Sequence, residues 1–327
     1  MGAWERIGGT LTEMIEAHVI SGASWAFVTD NDFDLYCSGM RGTIAPYGQE
    51  RLGLGMYYDL ASLTKVVGTT SRILQLAEKE KNFLNMPVRR ILPDFSFPEV
   101  TVRNLLLHNS GLMAEVVDKE HLTRENIVSH VYETPQLFPC GEKFLYSDTG
   151  FILLGFLIQV LDGMSLEESL QEHVFRPLGM DHTSYLTDRE NRVYVPTECT
   201  EKRGCICGEV HDSKAYLLGQ GGSAGLFSTL EDLAVFGRHY LSRSGELFGA
   251  DIYRLLENTE VCGRTFGWSK EYGDGVFYHT GFTGTSMLLD MKEKRGFILL
   301  TNRIHPTREQ VEFLEWRKKL NSFFLKN

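Results

Sequence analysis

Several features whose presence would have pointed elsewhere are missing from this sequence. It has no cluster of lysine and arginine, and 33 basic against 43 acidic residues leave a formal net charge of −10. Phosphate-backbone binding needs clustered cations, so this balance argues against a nucleic-acid partner. No apolar run is long. The longest, Phe151-Ile152-Leu153-Leu154-Gly155-Phe156-Leu157-Ile158, stops at Gln159, well short of the ~20 residues a membrane span needs. It reads as a buried helix. The opening, Met1-Gly2-Ala3-Trp4-Glu5-Arg6-Ile7, lacks the basic start and apolar stretch of a secretory signal, which predicts a cytoplasmic protein. Internal repeats, low-complexity tracts and linkers are absent too.

Cysteine is scarce. Six in 327 residues are too few for a disulfide framework and fit a reducing compartment, with the thiols free. Cys199, Cys205 and Cys207 do cluster ahead of His211, a set able to offer zinc three thiolates and an imidazole. Cys-x-Cys, however, lacks the two-residue spacer of the common knuckle, and no second ligand pair lies nearby. The expectation is therefore free thiols and no metal.

What the chain does contain starts with Asp59-Leu60-Ala61-Ser62-Leu63-Thr64-Lys65. On a helix, positions three apart share a face, so Ser62 and Lys65 are within reach of each other. A lysine able to accept a proton makes the serine hydroxyl a nucleophile. Taken alone, such a pair is common on solvated helices. Periodicity predicts helices over Trp4–His18, Ser62–Lys81, Val102–Leu107, Arg124–Tyr132, Asp148–Leu161, Leu166–Phe175, Leu230–Leu241 and Arg308–Phe324. A hairpin is predicted for Ser24–Thr29 and Phe33–Gly39, with later strands at Thr265–Lys270, Gly275–His279, Thr285–Asp290 and Gly296–Thr301. Strand-bearing ends thus enclose a helical middle. The simplest assembly joins the terminal strands in one antiparallel sheet under the first and last helices.

Two further motifs follow. Tyr146-Ser147-Asp148 opens the apolar helix, and His279-Thr280-Gly281 ends a predicted strand. Together with Ser62-Leu63-Thr64-Lys65, these resemble the Ser-x-x-Lys, Tyr-x-Asn and Lys-Thr-Gly motifs of the serine β-lactamase and penicillin-binding-protein superfamily, class C branch. Order and spacing agree. The stretches Leu105–Leu112, Phe175–Met180 and Gly225–Leu233 match as well, so the resemblance runs from about residue 20 to the C-terminus.

The resemblance implies an α/β (α+β) fold of two lobes. Residues 1–75 and 225–327 would form a lobe with an antiparallel sheet flanked by helices, and 76–224 an inserted all-helical lobe, with the active site between them. Ser62 would be the nucleophile, and Lys65 and Tyr146 the proton-handling pair. The backbone N–H groups of Ser62 and Phe282 would form the oxyanion hole. No cofactor is implied, and the partner would be a small-molecule or short-peptide substrate. Asp148 replaces the family asparagine and His279 the family lysine, which weakens the grip on a penicillin-like molecule. An ionised Asp148 would instead suit a free substrate ammonium. It would also keep Lys65 charged, which points to Tyr146 as the base, with the reverse assignment open. The activity implied is cleavage of a small ester or amide, including one bearing a D-amino acid or a muropeptide, through an acyl-serine. A true β-lactamase or DD-carboxypeptidase stays open beside it, as does a non-catalytic penicillin-binding-like module.

Overall fold

The computed structural model describes residues 2–116 and 121–326. Its centre is a five-stranded antiparallel sheet built from both ends of the chain. We label the strands β1 (Gly22–Thr29), β2 (Phe33–Gly39), β3 (Val276–Thr280), β4 (Ser286–Asp290) and β5 (Arg295–Thr301). Their spatial order is β2-β1-β5-β4-β3. The N-terminal hairpin therefore pairs with the last strand, Ala23 opposite Thr301 and Phe27 opposite Phe297, and β3 is left at an edge.

Alternation along the strands sorts side chains to two faces. Trp25, Phe27, Tyr278, Leu288, Phe297 and Leu299 face a core closed by α1 (Ala3–Glu16), through Ile7, Leu11 and Met14, and by the last helix (Phe313–Leu325), through Phe313, Leu320 and Phe324. Ala26, Val28, Phe277, Met287, Leu289, Ile298 and Leu300 point the other way, into the larger core shared with the helices between the two halves of the sheet. With both faces covered, β1 is buried along nearly its whole length. Full burial of each large side chain contributes about 1.5–3 kcal/mol relative to exposure.

The predicted hairpin, the last three strands and the terminal helices are found close to their expected bounds. Thr265–Lys270 is not a sheet strand. Ser269 makes isolated bridges to Arg264 and Tyr278, and Gly267 at φ 73° turns the chain within the segment. Helix Ala250–Asn258 was not anticipated.

Ser62–Lys81 is helical in three pieces: a 3₁₀ turn at Ala61–Leu63, a π turn at Lys65–Thr70, and an α-helix at Ser71–Lys79. The turn before Ser62 is tied on several sides. The Asp59 carboxylate accepts from the backbone N–H of Ala61 (2.8 Å) and of His211 (2.7 Å). Thr283 and Thr285 donate their hydroxyls to the carbonyls of Asp59 and Leu60 (2.8 and 3.1 Å). These bonds hold Ala61 at φ 45°, a left-handed conformation that costs a non-glycine residue about 1–3 kcal/mol. They also bring the β3–β4 connection against Ser62.

Candidate active site

The structure brings the three motifs together. Lys65 Nζ is completely buried and lies 2.9 Å from Ser62 Oγ, 2.8 Å from Asp148 Oδ1 and 2.8 Å from the carbonyl of Ser223. An ammonium has three N–H donors, and here each has an acceptor. Burial disfavours the charge, but Asp148 and Tyr146 outweigh it, so Lys65 is held above the ordinary lysine value. Its ammonium stands 5.1 Å from the centre of the Tyr146 ring.

Asp148 lies in the first turn of helix Asp148–Asp162, for which Ser147 is the N-cap, its Oγ accepting from Gly150 N–H at 3.1 Å. Its other oxygen, Oδ2, is 3.1 Å from Lys214 Nζ. Burial pushes this carboxyl up, and the Lys65 and Lys214 ammoniums together pull it well below the carboxylate range. The expected role as an acceptor for a substrate ammonium does not fit this geometry, because each oxygen already holds a lysine. Both oxygens of Asp148 are thus paired with cations of this chain.

His279 is buried at the edge strand. Its Nδ1 lies 3.0 Å from the Thr280 carbonyl, which only accepts, so Nδ1 carries the proton and Nε2 keeps a lone pair with no hydrogen-bond partner among the described residues. Burial first, then the charges of Arg264 and Lys65, depress its pKa well below 6.5. The ring is neutral where the family motif has a cation. Gly281 lets the β3–β4 connection come close to the Ser62 turn. A Cβ there would fall 2.1 Å from Thr285 Oγ1 and 2.4 Å from the Leu60 carbonyl. Phe282, next along, exposes 45% of its surface. Its ring stacks on His211 (centroids 5.6 Å apart), with the Arg303 and Arg308 guanidiniums 4.9 and 5.5 Å from its centre.

Three side chains at the site carry no motif signal. His108 stacks on Tyr146 (4.5 Å) and Phe151 (4.9 Å), and its Nδ1 accepts from Ser147 N–H at 3.0 Å. It wedges the Tyr146 loop in place, and burial keeps it neutral. Arg264 lies over the rings of Phe144 (4.9 Å) and Tyr146 (5.5 Å), with one guanidinium nitrogen unpartnered. It shares with Tyr146, Glu271, His279 and Thr280 a small cavity of about 70 Å³. Lys214 sits on a short helix, Ser213–Leu218. A lysine is exposed by default, so its sequence neighbours give no sign that it is buried. Only His108 lay inside a stretch that already resembled the family.

The four residues considered for zinc do not converge. Cys199 and Cys205 are joined by a disulfide across a hairpin of two short strands, Cys199–Thr200 and Gly204–Cys205, which corrects the expectation of free thiols there. Cys207 donates to the Tyr194 carbonyl, and His211 pairs with Glu198 at 2.9 Å. The sulfurs of Cys199 and Cys205 instead have His305 for a neighbour.

The chain is a β-lactamase-fold serine hydrolase. Residues 9–319 match the family model described as Beta-lactamase, and the chain belongs to that family. It is similar to the "Putative D-alanyl-D-alanine carboxypeptidase" of Escherichia coli K12, 26% identical over 306 residues covering 77% of this chain and 70% of that protein. It is also similar to the N-acetylmuramyl-L-alanine amidase of Bacillus subtilis 168, 27% identical over 300 residues covering 76% and 68%. Among solved structures, EstCE1, a hydrolase with promiscuous acyltransferase activity, superposes with a TM-score of 0.79 at 19% identity over 98% of both chains. A penicillin-binding protein homologue from Pyrococcus abyssi superposes with 0.71 at 22% identity, over 97% of this chain and 77% of that one. No single helix among the described residues is long and apolar enough to cross a membrane.

Proposed function

We propose that this protein cleaves a small ester or amide through an acyl-serine at Ser62. The observation that carries the reading is the saturated ammonium of Lys65. It donates to Ser62 Oγ at 2.9 Å while held by Asp148 and the Ser223 carbonyl. A charged lysine cannot take the serine proton, so we assign the base to Tyr146 acting as the phenolate, the form of its side chain that can accept a proton. Attack of Oγ on the substrate carbonyl passes the proton to Tyr146, which returns it to the leaving alcohol or amine. The oxyanion forms against the N–H groups of Ser62 and Phe282, each such donor lowering the barrier by about 3 kcal/mol. Water then releases the acyl group by the same steps in reverse order.

The substrate we favour carries a carboxylate near the scissile bond, as an N-acyl-D-amino acid or a muropeptide ending in a free D-amino acid does, because the Arg264 guanidinium lines the same small cavity as His279, beside Glu271, with one nitrogen unpartnered among the described residues. The amidase name of the Bacillus subtilis relative supports this choice, and the carboxypeptidase name of the Escherichia coli relative supports a second. That cation also supports a second reading, a β-lactamase or DD-carboxypeptidase, since penicillins and D-Ala-D-Ala peptides end in a carboxylate too. Purified protein tested against p-nitrophenyl acetate, an N-acyl-D-amino acid, a muramyl peptide with a free C-terminal carboxylate, an acyl-D-Ala-D-Ala peptide and nitrocefin separates these. A dominant rate on nitrocefin moves the assignment to β-lactamase. Failure of a fluorophosphonate and a penicillin alike to label Ser62 makes the protein a binding module. For location, the free cysteines Cys37, Cys140, Cys207 and Cys262 support the cytoplasm, while the Cys199–Cys205 disulfide supports an oxidising compartment.

A further inference from the structure

Lys214 is the second buried lysine beneath the nucleophile, its side chain 2% exposed. Three carboxylate oxygens surround its ammonium: Glu115 Oε2 at 2.7 Å, Asp148 Oδ2 at 3.1 Å and Asp212 Oδ2 at 3.3 Å. Its three donors are thus matched to three acceptors, as those of Lys65 are. Its approach is fixed locally. Asp212 caps the helix Ser213–Leu218 by accepting from Ala215 N–H at 2.8 Å, which sets Lys214 in the first turn facing Asp148.

We propose that Lys214 is a positioning residue for Ser62 chemistry: by pairing with Asp148 it sets the charge that Lys65 and Tyr146 feel, and so the pH at which Ser62 becomes nucleophilic. The inference rests on the acyl-serine reading above. An aspartate bound to Lys65 alone would hold the proton on the Lys65/Tyr146 pair; Lys214 offsets that negative charge from the far side of the same carboxylate. Among the described residues, the charged and titratable groups interacting with Lys65 and Tyr146 are Asp148, Arg264, His108 and His279, the two imidazoles being neutral. Those interacting with Lys214 are Asp148, Asp212 and Glu115, with Asp59 and His211 behind Asp212. Apart from Lys65 itself, Lys214 is accordingly the cation whose removal most directly unbalances Asp148.

The test is the pH dependence of Ser62 phosphonylation by a fluorophosphonate, with p-nitrophenyl acetate hydrolysis alongside. In the labelling step the Ser62 Oγ–P bond forms, P–F breaks, fluoride leaves, and the proton goes to the Lys65/Tyr146 pair. It therefore reports that pair without a known substrate. Lys214→Met should move the acid limb to higher pH by about one unit, roughly tenfold in rate on that limb. Asp148→Asn should move it to lower pH. The double variant removes one charge of each sign and should return the limb towards wild type.

A role confined to structure would lower amplitude in all variants and leave the limb in place. An unmoved limb in Lys214→Met, or a double variant displaced as far as Lys214→Met, overturns the proposal. If Lys214→Met does not fold, the other two decide, and coincident limbs in Asp148→Asn and the double variant overturn it. Labelling or turnover that persists in Ser62→Ala overturns the acyl-serine reading instead, so the two failures are distinguishable.

Discussion

Asp148 and Lys214 form an ion pair at 3.1 Å beneath the nucleophile. The pair explains how a carboxylate is tolerated where the family motif has a neutral asparagine. Asparagine would offer Lys65 an uncharged acceptor. Aspartate adds a negative charge, and Lys214, brought in from a segment 66 positions downstream of Asp148 in the chain, offsets it. Removing one member of a buried pair leaves the other uncompensated, at a typical cost of about 3–5 kcal/mol.

Ser62→Ala should abolish turnover while the fold persists, since it deletes one oxygen. Lys65→Ala and Tyr146→Phe should each lower kcat by about three to four orders of magnitude, and the double variant scarcely further, because the two act as one proton-handling unit. Steady-state kinetics of the four variants check this. Effects that multiply would break the unit apart.

Arg264→Ala should raise KM for a substrate with a carboxylate beside the scissile bond by roughly ten- to a hundred-fold, the worth of a charge-assisted hydrogen bond. A neutral p-nitrophenyl ester should be nearly unaffected. Equal losses on both substrates would mean that Arg264 serves Tyr146 and not the substrate.

His108 and His279 are both held neutral by burial, with folded pKa values well below the unfolded 6.5. The unfolded chain therefore binds more protons than the native protein as the pH falls through that value. The stability these rings confer is present above about pH 6.5 and lost below it, approaching about 1.4 kcal/mol per pH unit for each ring. His173, His239 and His305 shift in the same direction, so the decisive comparison is with His279→Gln. Urea midpoints at about pH 7.5 and about pH 5 should differ less in that variant than in wild type. An undiminished difference would clear His279 of the effect.

Gly281→Ala should be severe although the residue has no side chain to lose. The added Cβ would press on the Leu60 carbonyl and Thr285 Oγ1, parting the β3–β4 connection from the Ser62 turn. The backbone and hydroxyl must both move, at a cost of about 1–3 kcal/mol, and the oxyanion donor at Phe282 would move with them. Thermal denaturation and kcat together test this, and a variant with wild-type values for both would rule it out.

For the cysteines, titration of the unfolded protein without reductant should find four thiols, Cys37, Cys140, Cys207 and Cys262, and six after reduction. Elemental analysis should find no stoichiometric zinc. Six thiols without reductant, or about one zinc per chain lost on Cys199→Ser, would replace the disulfide with another arrangement.

Much of this fold was legible in order along the chain, because strand alternation and helical periodicity are local consequences of which face is buried. The hairpin Gly22–Gly39, the last three strands and the terminal helices are of that kind. The contact between Ser62 and Lys65 was legible too, since they are one turn apart and their geometry is nearly fixed by the backbone between them. The segment Thr265–Lys270 misled because its apolar side chains are buried by a turn around Gly267, and burial alone does not distinguish a turn from a strand. Asp148 could be placed by its motif, but not its charge balance. That depends on Lys214 and Glu115, which reach it across the fold and leave no periodic mark. The same holds for Arg264 over Tyr146, for His108 behind it, and for the bond between Cys199 and Cys205. Side-chain type and spacing decided which residues could do chemistry; tertiary structure alone decided their charge states, because each depends on through-space neighbours in a medium from which water has been removed.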